Sequence, residues 1–200
     1  MNIKTIEKRT LKKDRKEIYS KVIKAIKDFN LIKENDKIAV CISGGKDSFL
    51  LAKTLQQLQK YYKVKFDLKY IVMDPGYTKE HLKQIKENAF ILGLDIDIFK
   101  TDIFKIIKED KSPCYKCAKM RRGYLYNRAK ELGCNKIALG HHFNDVIETT
   151  LLGLFYNGKI EGMLPKIKSD NFKDMELIRP LYYVYEKDII SWANNSVIAQ

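Results

Sequence analysis

Short apolar runs alternate along the chain with longer stretches in which apolar residues recur every three or four positions. The short runs predict β-strands, because a strand buried on both faces reads as an almost continuous apolar run. The periodic stretches predict amphipathic helices. The predicted strands are residues 37–42, 66–73, 94–99, 136–139 and 176–178, and the predicted helices are 14–29, 47–60, 78–92, 102–109, 115–131, 143–156 and 184–195.

The alternation of strands and helices predicts an α/β fold. We expect a doubly wound, mostly parallel five-stranded sheet with helices on both faces. Ligands of such sheets bind at the carboxyl ends of the strands. Three polar segments, residues 43–48, 74–76 and 140–145, follow predicted strands directly. The topology therefore predicts that these segments converge on one site.

The first of these segments carries the most specific motif, Ser43-Gly44-Gly45-Lys46-Asp47-Ser48. Paired glycines let the backbone turn sharply and approach an anion, and the helix that follows presents free N–H groups and its positive dipole end. The serine hydroxyls add donors, and Lys46 adds a charge. A Walker A loop is excluded, because Val40 stands where that motif requires its first glycine.

The third segment offers a magnesium ligand. Asp145 opens the predicted helix after Gly140-His141-His142, and Glu148 shares its helix face. A carboxylate beside phosphate oxygens is typical of Mg²⁺ sites, so we interpret Asp145 as functional rather than as a helix cap. For the adjacent histidines, a structural and a functional role both stay open.

A second motif, Cys114-Tyr115-Lys116-Cys117, lies at the start of a predicted basic helix. A zinc site would need two further ligands at matching spacing, and Cys41 and Cys134 lie in or beside predicted core strands. A redox dithiol and a partial iron–sulfur site both satisfy the spacing, which does not decide between them.

Charge points to a large anionic partner. The chain holds 38 Lys and Arg against 25 Asp and Glu, a formal net charge of +13, and the excess concentrates in residues 1–30 and 105–136. This pattern favours a polyanion, although a solvated lysine-rich surface explains the charge equally well. Adjacent Arg121 and Arg122 point in different directions on their helix, and Arg179 could reach phosphate or form an ion pair.

Targeting signals are not evident in the sequence. Residues 2–16 are charged throughout, and no run approaches the roughly 18 apolar residues of a membrane span. Four cysteines do not make a disulfide framework. We therefore expect a cytoplasmic protein with no membrane partner.

With these residues in view, the chain resembles the PP-loop ATP pyrophosphatase superfamily and, within it, the tRNA-cytidine 32 2-sulfurtransferase family. The PP-loop itself indicates only the superfamily, and the Cys pair followed by Arg121-Arg122-Gly123 narrows the likeness. The resemblance covers roughly residues 17–195 and includes residues 24–30, 40–48, 136–142, 162–166, 179–181 and 186–189.

The resemblance implies ATP, Mg²⁺ and a [4Fe-4S] cluster bound by three cysteines, with tRNA and a sulfur donor (sulfide or persulfide derived from a cysteine desulfurase) as partners, and it allows for a homodimer. In the family the cytidine C2 oxygen is adenylated, and sulfur then displaces AMP. The implied site residues comprise Ser43 to Ser48, Asp74 and His141 for ATP, Lys46, Asp47 and Asp145 for catalysis, Asp145 for Mg²⁺, Cys114 and Cys117 for the cluster, and Arg121, Arg122, Lys166 and Arg179 for tRNA.

The resemblance also implies a domain division and one departure. We expect a basic helical segment over residues 1–36 and the PP-loop domain over 37–200. The family's third cluster cysteine follows the last helix, whereas this sequence reaches Gln200 without one. We expect that the sequence stops just before that ligand, the alternative being another ligand. Competing functions are a different adenylating ligase, of the tRNA lysidine or thiouridine synthetase or amidotransferase type, and a non-catalytic nucleotide or redox sensor.

Overall fold

A computed structural model of the chain describes residues 14–103, 113–160 and 162–196, with side chains from residue 119 onward in the helix that begins at 113. The predicted helix over 102–109 lies largely outside these ranges. The helices are α1 (Ser20–Asp28, after a π-helical turn, Arg15–Tyr19), α2 (Lys46–Tyr61), α3 (Lys79–Leu92), α4 (Pro113–Glu131), α5 (Phe143–Asn157) and α6 (Glu186–Asn195). The strands are β1 (Asp36–Ile42), β2 (Phe66–Asp74), β3 (Ile96–Lys100), β4 (Lys136–Ala138), β5 (Lys166–Lys168) and β6 (Glu176–Ile178).

The strands form one mostly parallel sheet in the order β3-β2-β1-β4-β6-β5. The predicted α/β class is confirmed, but the predicted number of five strands is wrong. The sixth strand, β5, pairs antiparallel with β6 at the sheet edge, with Ile167 opposite Leu177. Three residues with two lysines carry no apolar run, so β5 could not be recognised from the pattern.

The sheet order reverses at β1, which pairs with β2 on one side and with β4 on the other. From Ile38 to Ile42 every residue of β1 is buried, as its apolar sequence predicts. The chain therefore leaves β1 toward β2 and leaves β4 toward β6, in opposite directions, and a crevice opens between the carboxyl ends of β1 and β4. Residues 43–48 begin at this crevice.

Two apolar layers enclose the sheet. One contains residues of α1, α2, α3 and α6, including the fully buried Phe49 and Trp192. The other packs α4, through Tyr126 and Ala129, against Ile137 and Leu177. Because α1 contributes Val22 to the first layer, the basic helix and the sheet share one core. The division of the chain after residue 36 stays a prediction.

The amino ends of three strands meet at a buried cation. The ammonium of Lys136, whose side chain is 2% exposed, lies 2.8 Å from Asp36 Oδ2 and 3.1 Å from Glu176 Oε2. It also donates to the carbonyl of Leu31 at 2.8 Å. This cluster links β1, β4 and β6 at the edge opposite the crevice.

Among the described residues, none of the helices combines the length and apolar character needed to cross a bilayer.

Candidate active site

A pocket of about 320 Å³ opens at the carboxyl ends of β1, β2 and β4. Residues of the segments 43–48 and 140–145 line the pocket. Residues 74–76 lie beside it, and only their chain neighbours Met73 and Tyr77 line it. The pocket is lined by Cys41, Ile42, Ser43, Asp47, Ser48, Met73, Tyr77, Arg121, Leu125, Leu139, Gly140, His141 and Asp145. The predicted convergence at one edge of the sheet therefore brings two of the segments directly into contact with the pocket.

The loop after β1 is braced by its own serines. The Ser48 hydroxyl donates to the carbonyl of Gly45 at 2.8 Å and accepts from the backbone N–H of Ser43 at 3.2 Å. Gly44 has a φ of 95°, which side chains rarely adopt. Gly45 is the N-cap of α2 and leaves the first N–H groups of the helix unpaired within it. The loop is thus preformed as a cradle for phosphate.

Gly140 holds the loop after β4 against this cradle. A Cβ at Gly140 would lie 3.1 Å from the carbonyl carbon of Asp47 and from the backbone nitrogen of Ser48. Backbone atoms cannot yield as a flexible side chain can, so no larger residue fits without moving the start of α2. This contact sets the distance between the two loops that line the pocket.

Two carboxylates flank the buried ring of His142. Asp47 Oδ1 lies 3.8 Å from His142 Nε2, and Asp145 Oδ2 lies 3.5 Å from Nδ1. Asp145 Oδ2 also accepts the backbone N–H of His142 at 2.7 Å, so the aspartate caps α5 while it lines the pocket. Asp47 Oδ1 is buried and accepts no hydrogen bond from the described residues.

These carboxylates fit a magnesium–phosphate ligand. Mg²⁺ in phosphoryl-transfer sites binds one or two carboxylates and completes its shell with phosphate oxygens and water. Within the described ranges, no three His, Cys, Asp or Glu residues come together as a metal site by themselves. Asp47 and Asp145 suit a cation that arrives with a nucleotide, although Asp47 Oδ1 already lies 3.4 Å from the ammonium of Lys46.

His141 is oriented by a buried arginine. The Arg179 Nε–H donates to His141 Nδ1 at 3.3 Å, and a second guanidinium N–H donates to the carbonyl of Leu164. Burial, followed by the positive charge of Arg179, lowers the pKa of His141. Burial also lowers the pKa of Arg179, to about 10, which leaves it charged at neutral pH. A neutral His141 with Nδ1 accepting must carry its proton on Nε2.

We therefore expect His141 to titrate below pH 6.5 as the Nε2–H tautomer, and Arg179→Gln to raise its pKa. Because the folded state resists protonation, the free energy of unfolding should fall as the pH drops below the unfolded-state value of about 6.5. Imidazole ¹⁵N NMR of the three histidines measures both tautomer and titration. A His141 pKa that Arg179→Gln leaves unchanged would contradict the assignment.

Two predicted nucleotide residues point elsewhere. The ammonium of Lys46 pairs with Glu186 Oε1 of α6 at 3.2 Å and with Asp47 Oδ1 at 3.4 Å, and it does not line the pocket. Asp74 is buried at the end of β2, where its Oδ1 accepts the N–H groups of Gly76 and Tyr77 at 2.9 and 2.7 Å. The structure gives Asp74 a turn-forming role.

The predicted tRNA residues separate. Arg121 lines the pocket, whereas Arg122 lines a second groove beside α4. The Lys166 ammonium donates to the carbonyl of Asn30 at 2.9 Å. Arg179 is 6% exposed and donates to His141, and its contact with tRNA phosphate stays a prediction. The backbone of Cys114 and Cys117 lies in α4, while their side chains fall outside the described ones.

The apolar lining was not predicted. Met73, Leu125, Leu139 and Cys41 give the pocket an apolar floor. Burial raises the pKa of Cys41 to about 12, so this thiol stays protonated and packs with Cys134 in the second core layer, as predicted for both. The available signal was position, because three of the four lie within two residues of the carboxyl end of a strand.

The two loop glycines should respond differently to substitution. A Cβ at Gly44 would lie 3.0 Å from the Ile85 side chain in a left-handed backbone conformation, whereas a Cβ at Gly45 would meet only Ser43 Oγ, at 3.8 Å. We expect Gly44→Ala to destabilise the fold by about 1–3 kcal/mol and Gly45→Ala to leave stability unchanged. Urea unfolding of the matched pair measures this. Equal stabilities would contradict the loop geometry.

Comparisons with known proteins show which family the chain belongs to. The model of the PP-loop domain family matches residues 14–199. A tRNA-cytidine(32) 2-sulfurtransferase of Aeromonas hydrophila is 44% identical over 194 residues, which cover 94% of this chain and 63% of that protein. The enzyme of the same name from Alcanivorax borkumensis is 41% identical over 199 residues, covering 96% of this chain and 69% of its own length.

Solved structures share the fold. The U34-tRNA thiolase NcsA from Methanococcus maripaludis, solved with its [4Fe-4S] cluster, superposes with a TM-score of 0.71 at 24% identity, covering 92% of this chain and 65% of that one. The chain spans about three fifths of the length of several sulfurtransferases that it matches. It belongs to the PP-loop family and, within it, to the family of the tRNA-cytidine(32) 2-sulfurtransferases.

Proposed function

We propose that the chain carries the ATP-dependent step of tRNA thiolation, in which the C2 oxygen of a cytidine is adenylated and replaced by sulfur. One observation carries this proposal. The PP-loop side chains Ser43 and Asp47 share their pocket with Arg121 and Leu125 of α4, and α4 is the helix in which the Cys114–Cys117 pair lies. On this ground we assign nucleotide chemistry and the cysteine motif to one site.

The chemistry requires activation of the base. The carbonyl oxygen on C2 is a poor leaving group, whereas AMP is a good one. The C2 oxygen attacks the α-phosphorus of ATP, the bond to the β-phosphate breaks, and pyrophosphate leaves. Hydrosulfide then adds at C2, AMP departs with the former carbonyl oxygen, and loss of the S–H proton leaves the C2 thiocarbonyl.

The residues of the pocket divide this work between them. The loop amides and Ser43 would bind the phosphates, while Asp47 and Asp145 would hold Mg²⁺, which neutralises charge on the phosphates. The neutral Nε2–H of His141 would donate to an oxygen in the pocket. Met73 and Leu139 offer apolar surface on which adenine can lie.

The cysteine pair would supply two ligands of an iron–sulfur cluster. A cluster with one iron free of protein ligand supplies a site where sulfide can bind. Cys114 and Cys117 precede Arg121 by seven and four residues in the same helix. Among the described cysteines, Cys41 and Cys134 are buried in the core and are poor candidates for a third ligand.

We also infer the substrate and the partners of the reaction. The substrate is tRNA, and the sulfur comes as sulfide, either directly or from a persulfide made by a cysteine desulfurase and reduced by two thiols that become a disulfide. Two copies of the chain would form a homodimer, and the reaction would take place in the cytoplasm, where tRNA is modified.

Mass spectrometry of tRNA nucleosides tests the proposal. Cells that lack the gene should lose 2-thiocytidine, and the unsubstituted gene should restore it, whereas Cys114→Ser should not. Loss of 2-thiouridine instead would identify the thiouridine branch of the superfamily. Full complementation by Cys114→Ser would support an adenylating ligase that needs no cluster.

A further inference from the structure

A second groove lies against another face of α4. It encloses about 490 Å³ between α4 and residues 167–172, which form β5 and the start of its connection to β6. Arg122 and Tyr126 line this groove, whereas their sequence neighbours Arg121 and Leu125 line the PP-loop pocket. The same helix therefore contributes to two adjacent sites.

The groove is basic along its length. Lys119, Arg122 and Lys168 line it and are exposed, and Asp170 is the one carboxylate among its lining residues. Three cations contributed by two separate elements suit an extended anion better than a single phosphate. The backbone of a nucleic acid presents such a row of charges.

One wall of the groove is aromatic. The rings of Tyr126 and Phe172 stack with centroids 5.0 Å apart and an interplanar angle of 14°. Tyr126 is buried, while Phe172 stays partly exposed at the groove. Unpaired bases of RNA loops stack on surfaces of this kind.

The lining of the groove includes a glycine that no contact among the described residues requires. Gly123 lies in the middle of α4, where glycine weakens a helix relative to alanine. A Cβ at Gly123 would meet no atom of the described residues within 4 Å, so neither their packing nor a left-handed backbone accounts for it. A ligand that approaches the helix backbone closely does account for it.

We propose that this groove binds a single-stranded stretch of RNA, namely the loop of the tRNA substrate, with its phosphates on Lys119, Arg122 and Lys168 and its backbone passing over Gly123. The proposal rests on the proposed function, because it supplies the path by which a tRNA loop reaches the adjacent PP-loop pocket. Gly123 is a specificity-determining position in this account, since it admits the strand without contacting the reacting atoms.

Gly123→Ala should change the stability of the fold and the affinity for RNA in opposite directions. The substitution should raise the thermal midpoint by about 2–4 °C. It should nevertheless weaken, by about tenfold or more, the binding of a fluorescent RNA hairpin whose loop carries cytidine at the position equivalent to residue 32 of tRNA. Asn127→Ala, exposed on the same helix and outside the groove lining, should stabilise without weakening RNA binding. ATP affinity should not change in either variant.

Two variants that each remove one positive charge from α4 test the groove independently. Arg122→Gln should weaken hairpin binding about tenfold at low salt and reduce the slope of log affinity against log salt by about one. Lys130→Gln, which removes a charge from the same helix outside the groove, should change affinity less than twofold. Wild-type affinity in both Gly123→Ala and Arg122→Gln would overturn the groove assignment alone. Failure of the unsubstituted chain to bind the hairpin would overturn the proposed function as well.

Discussion

Asp145→Asn should reduce ATP-dependent AMP formation by about 10²–10³-fold, the cost of removing one electrostatic contact to the transition state. The amide oxygen can still accept the backbone N–H of His142, which the carboxylate accepts at 2.7 Å, so the cap of α5 is kept. Only the charge that would hold Mg²⁺ is lost. Initial rates at several Mg²⁺ concentrations measure the effect, together with urea unfolding as the check on stability.

Glu148→Gln is the matched control. Glu148 lies three residues further along α5, is exposed and does not line the pocket. The substitution Glu148→Gln removes the same charge from the same helix. The rate of AMP formation by this variant should therefore stay within about twofold of that of the unsubstituted chain. Equal losses in the two variants would show that the charge of α5, and not a bound cation, explains the effect.

Lys136→Met should destabilise the fold by about 3–5 kcal/mol, because it leaves the buried carboxylate of Asp36 and the partly buried carboxylate of Glu176 without their cation. This loss is a large share of the roughly 5–15 kcal/mol by which domains are stable. The substitution is far from the pocket, at the opposite ends of the strands. We expect ATP affinity to be unchanged in whatever fraction remains folded.

Urea unfolding of three variants tests this reading. Lys37→Met, an exposed lysine on β1, should cost less than about 0.5 kcal/mol. Adding Asp36→Asn and Glu176→Gln to Lys136→Met should recover part of the loss, since neutral amides are less costly to bury than unpaired carboxylates. A Lys136→Met protein as stable as Lys37→Met would contradict the buried cluster.

The sequence predicted the framework of this molecule because its signals are local. Apolar runs located five of the six strands, and the glycine after α3 marks the end of that helix, with Gly93 at a φ of 66°. The loop at residues 43–48 was recognisable because strand, turn and helix start are adjacent in the chain. The edge strand β5 escaped notice because Lys-Ile-Lys carries no such local signal.

Long-range contacts decide where the structure places several of the predicted site residues. Lys46 turns toward Glu186, which is 140 residues away, and no local pattern announces that pair. Arg179 looks like a phosphate ligand in sequence, but its guanidinium is buried and donates to His141 Nδ1 and to the carbonyl of Leu164. The apolar pocket floor arises from strand ends, so it needed the sheet order β2-β1-β4 before it could be placed.

The most direct test uses ATP labelled at the α-phosphate, incubated with Mg²⁺, sulfide and an RNA hairpin whose loop carries cytidine at the position equivalent to residue 32 of tRNA. If the chain splits ATP between its α- and β-phosphates on behalf of that cytidine, we expect labelled AMP and an equal amount of pyrophosphate, measured separately. Little of either product should form when uridine replaces the cytidine. Release of ADP and phosphate, or AMP formation that does not depend on the RNA, would contradict this expectation.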